Sequence, residues 1–366
     1  MTDEFDPQKK TFFTEQLLKW SRQHPRDLPW KATQNPYFIW LSEIILQQTR
    51  VEQGTPYYLK FIAHYPTVKD LANAPEDEVL KLWEGLGYYS RARNLHFTAK
   101  YIHRALNGKF PDQYKDILAL KGVGAYTAAA IASFAFDLPY AVVDGNVYRV
   151  LSRYFGIATP IDSTDGKKQF AALAQELLAE DKAAAYNQAI MNFGATHCLP
   201  KNPKCTTCPF QSPCVAFVQK TIANYPVKAK KIKKKYRYFH YLLFNYKDHI
   251  WIEKRAGQDI WKGLYQFPLI ESSNTSEHFE ELKSDYNWRD FFEVNEGNFK
   301  VSKHSKPYQQ TLTHLYIIAT FWELDCTKKI ELPENKYTYI QRSTIDSYAF
   351  PKVIDRYLKE DQLYLF

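Results

Sequence analysis

Four of the chain's five cysteines, Cys198, Cys205, Cys208 and Cys214, fall within 17 residues in the spacing C-x6-C-x2-C-x5-C. No other feature restricts the fold as much, because four thiolates this close can close around one shared centre, a zinc ion or a [4Fe–4S] cube. A disulfide framework would spread its cysteines through the chain. Structural zinc sites usually pair two C-x2-C knuckles across a longer loop, and here there is one knuckle; this favours the cluster and leaves zinc as the alternative. Unligated buried thiols are the plain third option. Pro200, Pro203, Pro209 and Pro213 stiffen the loop, and Lys201 and Lys204 give it a positive edge. Such a loop suits a structural clamp beside a nucleic acid better than an electron carrier.

At 366 residues the chain exceeds one ordinary domain, and its 45% hydrophobic and 16% aromatic content supplies apolar area for two cores. Phe12, Phe13, Leu17 and Trp20 recur at helical spacing over 8–24. From Asn35 to about 220, helical patterns are broken at Pro66, Asn73-Ala74-Pro75, Asn107-Gly108 and Pro111. Beyond that the character changes. Tyr238–Tyr246, His249–Arg255 and Leu315–Leu324 have the aromatic and β-branched content of strands, with a helix expected over 277–285. The pattern predicts a multidomain chain: an all-α region over 1–222, a basic linker over 223–236 and an α+β domain over 237–366. Lys228–Arg237 holds seven Lys/Arg and no acid against a net charge of +8, so the remainder is nearly neutral. A run like this is either a solvated linker or a segment that lies along phosphates. The N-terminal residues lack a secretory signal and no run of about 18 apolar residues occurs, so the expectation is a cytoplasmic chain without a membrane partner.

Three features bear on chemistry. Leu120-Lys121-Gly122-Val123-Gly124-Ala125-Tyr126-Thr127 sits between a helix expected over 113–120 and an alanine-rich helix, a helix–hairpin–helix arrangement. Gly122 and Gly124 would allow a tight turn with positive φ, leaving the next helix's free N–H groups to meet a phosphate; a plain helix–helix turn has the same letters. The helix expected over Asn35–Arg50 is apolar on most of its circumference, with Glu43, Gln47 and Arg50 sharing a narrow polar ridge. Burial would raise the pKa of Glu43 and make it a proton donor near neutrality; a solvent-facing stripe is the bland alternative. Asp144 precedes the helix expected over Val147–Phe155, where it reads first as an N-cap kept ionised by the dipole and backbone donors. One protonated and one ionised carboxyl is the pair that acid-assisted departure of a leaving group needs.

Together these segments resemble the adenine DNA glycosylases, the MutY family, over nearly the whole chain. The matching runs are Leu28-Pro29-Trp30, Pro36-Tyr37, Trp40-Leu41-Ser42-Glu43, Leu46-Gln47-Gln48-Thr49, Trp83 through Asn94, the hairpin, Val143-Asp144-Gly145-Asn146-Val147 and the cysteine spacing. The resemblance implies a helix–hairpin–helix glycosylase domain with a [4Fe–4S] cluster on the four cysteines. It also implies catalytic roles for Glu43 and Asp144, and double-stranded DNA carrying adenine opposite 8-oxoguanine or guanine as substrate. The base is flipped out to be reached. Tyr126 stands where the related endonuclease III enzymes carry a Schiff-base lysine, and a phenol forms no imine, so base excision without strand cleavage is implied. Trp30, Lys31 and Gln188 match positions around the extruded adenine; Gln48, Thr49, Leu86, Gly87 and Tyr88 match segments that enter the duplex beside the lesion.

The C-terminal part resembles the family's Nudix-like 8-oxoguanine-reading domain through Trp261-Lys262-Gly263-Leu264-Tyr265-Gln266-Phe267-Pro268. Position 269 is Leu and the glutamate helix of a working Nudix hydrolase is missing, which argues against nucleotide hydrolysis. Thr313 and His314 match the lesion-reading loop, where Leu312 replaces the usual aromatic; Lys31 and Lys121 replace a usual arginine and proline. The rival readings are an endonuclease III-like enzyme on oxidised pyrimidines, a non-catalytic iron–sulfur DNA-binding protein and a Nudix hydrolase. The expected protein is a monomer, associated with the nucleoid if bacterial.

Overall fold

The computed structural model describes residues 6–229, 233–284, 288, 291, 295 and 297–362. It divides into two compact units that are not contiguous in sequence. One comprises Met1–Asn73 with Phe97–Lys231, the other Ala74–His96 with Ile232–Phe366. Residues 1–5 and 230–232, which include part of the basic run, lie outside the described residues, as does residue 285 of the helix expected over 277–285.

The first unit is helical throughout its described residues. Pro7–Gln23 starts at an Asp6 carboxylate accepting from the Gln8 N–H at 2.9 Å, and buries Phe13, Leu17 and Trp20. These side chains join Leu151 and Phe155 of the helix Gly145–Phe155, Phe193 of the helix Ala183–Thr196, and Phe210 of the cysteine loop in one core. Pro36–Leu46 starts at Asn35, whose side chain accepts from the Tyr37 N–H. That helix ends sooner than expected, so Gln47 and Arg50 are not on its ridge. Gln48 takes a left-handed conformation (φ 54°), Arg50 caps the next helix Val51–His64, and Gln47 donates instead to Thr127 Oγ1 at 3.2 Å. The hairpin joins Tyr114–Leu118 to Ala125–Phe136. Its turn takes positive φ at Gly122 (82°), whereas Gly124 is an extended N-cap (φ −96°), so one glycine and not two needs the left-handed region. Ala128, Ala129, Ala130 and Ala132 are buried, and their small size allows this helix to lie close against Pro36–Leu46. Among the described residues no helix is long and apolar enough to cross a membrane.

The second unit holds two sheets. Strands β1 (Lys235–Asn245), β2 (His249–Lys254), β3 (Tyr265–Gln266), β4 (Leu269–Ser272), β5 (Phe299–His304), β6 (Tyr308–Thr311), β7 (Leu315–Cys326) and β8 (Tyr337–Gln341) form them. The larger runs β4-β1-β7-β5 with β6 also on β7, and the smaller runs β3-β2-β8. β1 and β7 pair in parallel over eleven positions, Lys235 opposite Leu315 to Asn245 opposite Asp325. Alternate residues of β1 serve two cores. Phe239, Tyr241 and Leu243 meet β2, β8 and the helix Lys352–Gln362; Leu242 and Phe244 meet Trp322 and Leu324. A strand buried on both faces reads as a continuous apolar run, which is how β1 reads from Tyr241 to Phe244. Phe279–Ser284, within the segment expected to be helical, is a 3-10 helix.

Candidate active site

A cavity of about 190 Å³ opens in the helical unit, and Glu43, Tyr126 and Asp144 all line it. Glu43 comes from the Pro36–Leu46 helix and is 6% exposed. Its Oε2 accepts from the Tyr126 hydroxyl at 2.7 Å. Burial pushes its pKa up to about 7, the Tyr126 hydrogen bond opposes this, and the nearby Asp144 charge adds to it. An apolar helix with one carboxyl facing a cavity accordingly holds a proton near neutral pH. Burial and the two carboxyls keep the Tyr126 phenol protonated well above its usual range.

Asp144 caps the helix Gly145–Phe155. Its Oδ1 accepts from the Asn146 and Val147 N–H groups at 2.8 Å each, and its Oδ2 from Asn146 Nδ2 at 2.7 Å. The expectation that these donors keep its pKa low is corrected: burial raises it, and the hydrogen bonds and Arg149 offset only part of that rise. Its three donors still distinguish it from Glu43, which has a single donated bond.

Trp30, Lys31 and Gln188 line the same cavity. Trp30 stands on the 3-10 turn Pro29–Lys31 and meets Tyr58 edge-on, ring centroids 5.4 Å apart. Burial lowers the Lys31 pKa, and the neighbouring Arg26 lowers it further. Thr49, matched to the lesion side, also faces this cavity. Arg26 and Asn192 are cavity residues that the sequence did not single out, and no local motif marks them; Asn146, also in the cavity, belongs to the run Val143–Val147.

Behind Asp144 lies a connection to the cysteine loop that the letters also hide. Arg149 donates from Nε to the Cys198 carbonyl at 2.8 Å and from Nη2 to Asn146 Oδ1 at 2.8 Å and the Gly194 carbonyl at 2.7 Å. A Cβ on Gly194 would stand 2.6 Å from Asn146 Cβ, so glycine is what lets the two helices approach here. Arg153 donates to the Leu199 and Pro200 carbonyls at 2.7 and 3.1 Å and to Cys198 Sγ at 3.4 Å.

Cys198, Cys205, Cys208 and Cys214 line one cavity with Phe13, Phe193 and Phe210. Burial raises the thiol pKa of Cys205 and Cys214 and pushes Cys208 up to about 12. Thiols held this way ionise when a bound metal takes the place of the proton. Among the described residues no three Cys, His, Asp or Glu side chains are gathered closely enough to hold a single metal ion. Four thiols lining one cavity are a donor set of the kind that holds a metal centre.

The remaining matched residues sit elsewhere. Gln48 is exposed at its left-handed turn. In the second unit Leu86 is buried, Gly87 takes φ 72°, and Tyr88, at φ 48°, is exposed. Tyr88 Oη lies 3.1 Å from Thr313 Oγ1, although 225 residues separate them. His314 is exposed, and its carbonyl accepts from the Lys235 N–H. Leu312 packs on the apolar core of this unit.

Residues 41–180 match the family model of the HhH-GPD superfamily base excision DNA repair proteins, and residues 240–360 match the NUDIX domain. The chain is 37% identical over 264 residues to an adenine DNA glycosylase of Buchnera aphidicola subsp. Acyrthosiphon pisum, covering 72% of this chain and 75% of the relative. With the adenine DNA glycosylase of Buchnera aphidicola subsp. Baizongia pistaciae it shares 41% over 267 residues, at the same coverage of both. Among solved structures it is similar to a thermostable thymine-DNA glycosylase, at a TM-score of 0.54 and 32% identity, covering 58% of this chain and 98% of that one.

Proposed function

Since the chain belongs to the adenine DNA glycosylases, we propose that it hydrolyses the N-glycosidic bond of adenine paired with 8-oxoguanine or guanine in duplex DNA. The observation that carries this reading is a carboxyl protonated up to about pH 7 in a cavity shared with a hydrogen-bonded aspartate. In this reading the extruded adenine enters between Trp30, Lys31 and Gln188. Glu43 gives its proton to adenine N7, so that the base leaves with the bonding electron pair as a neutral molecule. The Asp144 carboxylate faces the resulting oxocarbenium-like sugar, holds it as a transient adduct, and water completes hydrolysis. Tyr126 supplies no amine, so the DNA strand stays intact.

Tyr88, Thr313 and His314, with Leu86 and Gly87 beside Tyr88, would then read the orphaned 8-oxoguanine, and Gln48 and Thr49 would belong to a segment that enters the duplex. Gly122 and Gly124 would bring the hairpin's backbone donors to a phosphate. A [4Fe–4S] cluster on the four cysteines would fix the loop whose carbonyls Arg149 and Arg153 hold. In a bacterium such an enzyme works in the cytoplasm at the nucleoid, as a monomer.

The test is single-turnover incubation with duplexes carrying adenine opposite 8-oxoguanine or guanine, resolved with and without alkali. Strand breaks only after alkali support the proposal. Direct nicking at an oxidised pyrimidine, or release of thymine and no adenine, would overturn it. Glu43→Gln should bind lesion duplex and release no adenine; retained turnover removes Glu43 from the mechanism.

A further inference from the structure

At one end of the larger sheet in the second unit, the described residues leave Tyr236 exposed and Tyr238 and Tyr316 half-buried. On the face that carries Trp322 and Leu324 at its far end, β1 presents Tyr236 and Tyr238, and β7 presents Tyr316 opposite Tyr236 and Ile318 opposite Tyr238. β6 adds Gln309 and Thr311, paired with Ile318 and Tyr316 and both exposed. Tyr236 is 60% exposed. It stacks between Tyr316 (centroids 4.9 Å, planes 25° apart) and Tyr238 (6.3 Å, 15°), and the Lys234 ammonium lies 4.9 Å from the Tyr316 ring centre. Lys233 and Lys235 flank it, both exposed. The acids Asp259 and Glu271 are engaged by Arg237, which alternates to the other face of β1.

The three rings stack on one another and the Lys234 ammonium lies over Tyr316, so the polar groups this row carries are its hydroxyls. Neutral O–H donors in a row beside lysines match the oxygens of a phosphodiester chain. The Lys235 N–H bonds the His314 carbonyl, so the row continues directly from the loop proposed to read the lesion. We propose that Tyr236, Tyr238, Tyr316 and Lys234 form a phosphate track that holds the backbone of duplex DNA flanking the site. The inference rests on the proposed function only for where that DNA comes from.

The test uses the full chain and an undamaged duplex, with affinity measured over a salt series. The triple variant Y236F/Y238F/Y316F keeps the rings and removes the hydroxyls, and should weaken binding about fivefold for each hydroxyl in contact. K234Q should reduce the slope of log affinity against log salt by about 0.9. Both variants should excise adenine at the unaltered rate when enzyme is saturating, which shows that they fold. Unchanged affinity and slope in both would overturn the track. So would weakening in Y236A but not in the phenylalanine variant, since that pattern means base stacking. If the unaltered protein excises no adenine, the proposed function fails while the binding series still decides this inference.

Discussion

Tyr126→Phe deletes the hydroxyl that donates to Glu43 Oε2 at 2.7 Å and leaves the ring in the cavity wall. That bond favours the ionised carboxylate, so its loss leaves burial and the Asp144 charge unopposed and raises a pKa already near 7. Hydrogen bonds to charged groups contribute about 1.5–3 kcal/mol, and a pH unit corresponds to about 1.4 kcal/mol, so the rise is about 1–2 units. In the proposed mechanism Glu43 acts as its protonated form, so the alkaline limb of adenine excision should move up by that amount. At pH near 7 about half of the carboxyl is already protonated, so the rate changes less than about twofold; near pH 8.5 it should rise about tenfold. The stability linkage has a matching sign. A carboxyl raised above its unfolded value contributes stability below about pH 4.5 that is lost as pH rises through the folded pKa, and in the variant this loss should come later. The assay is single-turnover adenine release, with enzyme in excess, over about pH 5.5 to 9.5. An alkaline limb that stays in place or moves down, with excision intact, would refute the acid assignment.

Asn146→Ala removes the Nδ2 donor 2.7 Å from Asp144 Oδ2 and should move the acid limb of the same profile upward, because the role proposed for Asp144 requires it ionised; a stationary limb argues against that role. Gly194→Ala places a methyl 2.6 Å from Asn146 Cβ, and the helix shift it forces should lower the excision rate by about 10²-fold in a chain whose circular dichroism is unchanged. Cys208→Ser should lose absorbance near about 400 nm and one ligand's share of iron, with lower thermal stability; stoichiometric zinc in the unaltered protein would refute the cluster.

Much of the site was legible because its parts are local. The four cysteines lie on one loop, and the hairpin reveals itself by a glycine that a tight turn requires at Gly122. Glu43 could be anticipated because one carboxyl on an otherwise apolar helix must be buried or face a cleft. Where the sequence reading failed, competing local terms were close. Helical periodicity carried the Glu43 helix on to Arg50, but Gln48 adopts a left-handed turn that no residue type announces. Asp144 has the letters of a low-pKa cap, and burial, which spacing does not report, outweighs them.

What the sequence determined by itself, then, was chemistry that depends on neighbours in the chain: four clustered cysteines, a hairpin, an N-cap, and aromatic, β-branched strands after a basic run. The tertiary structure decided what depends on distance through space. It set Tyr126 against Glu43, linked the cysteine loop to Asp144 through Arg149 and Asn146, and gathered residues 74–96 with the C-terminal strands so that Tyr88 meets Thr313. Hydrogen bonds and desolvation act over a few ångströms between residues as far apart in sequence as Tyr88 and Thr313, 225 positions, and a linear pattern holds no record of such pairs.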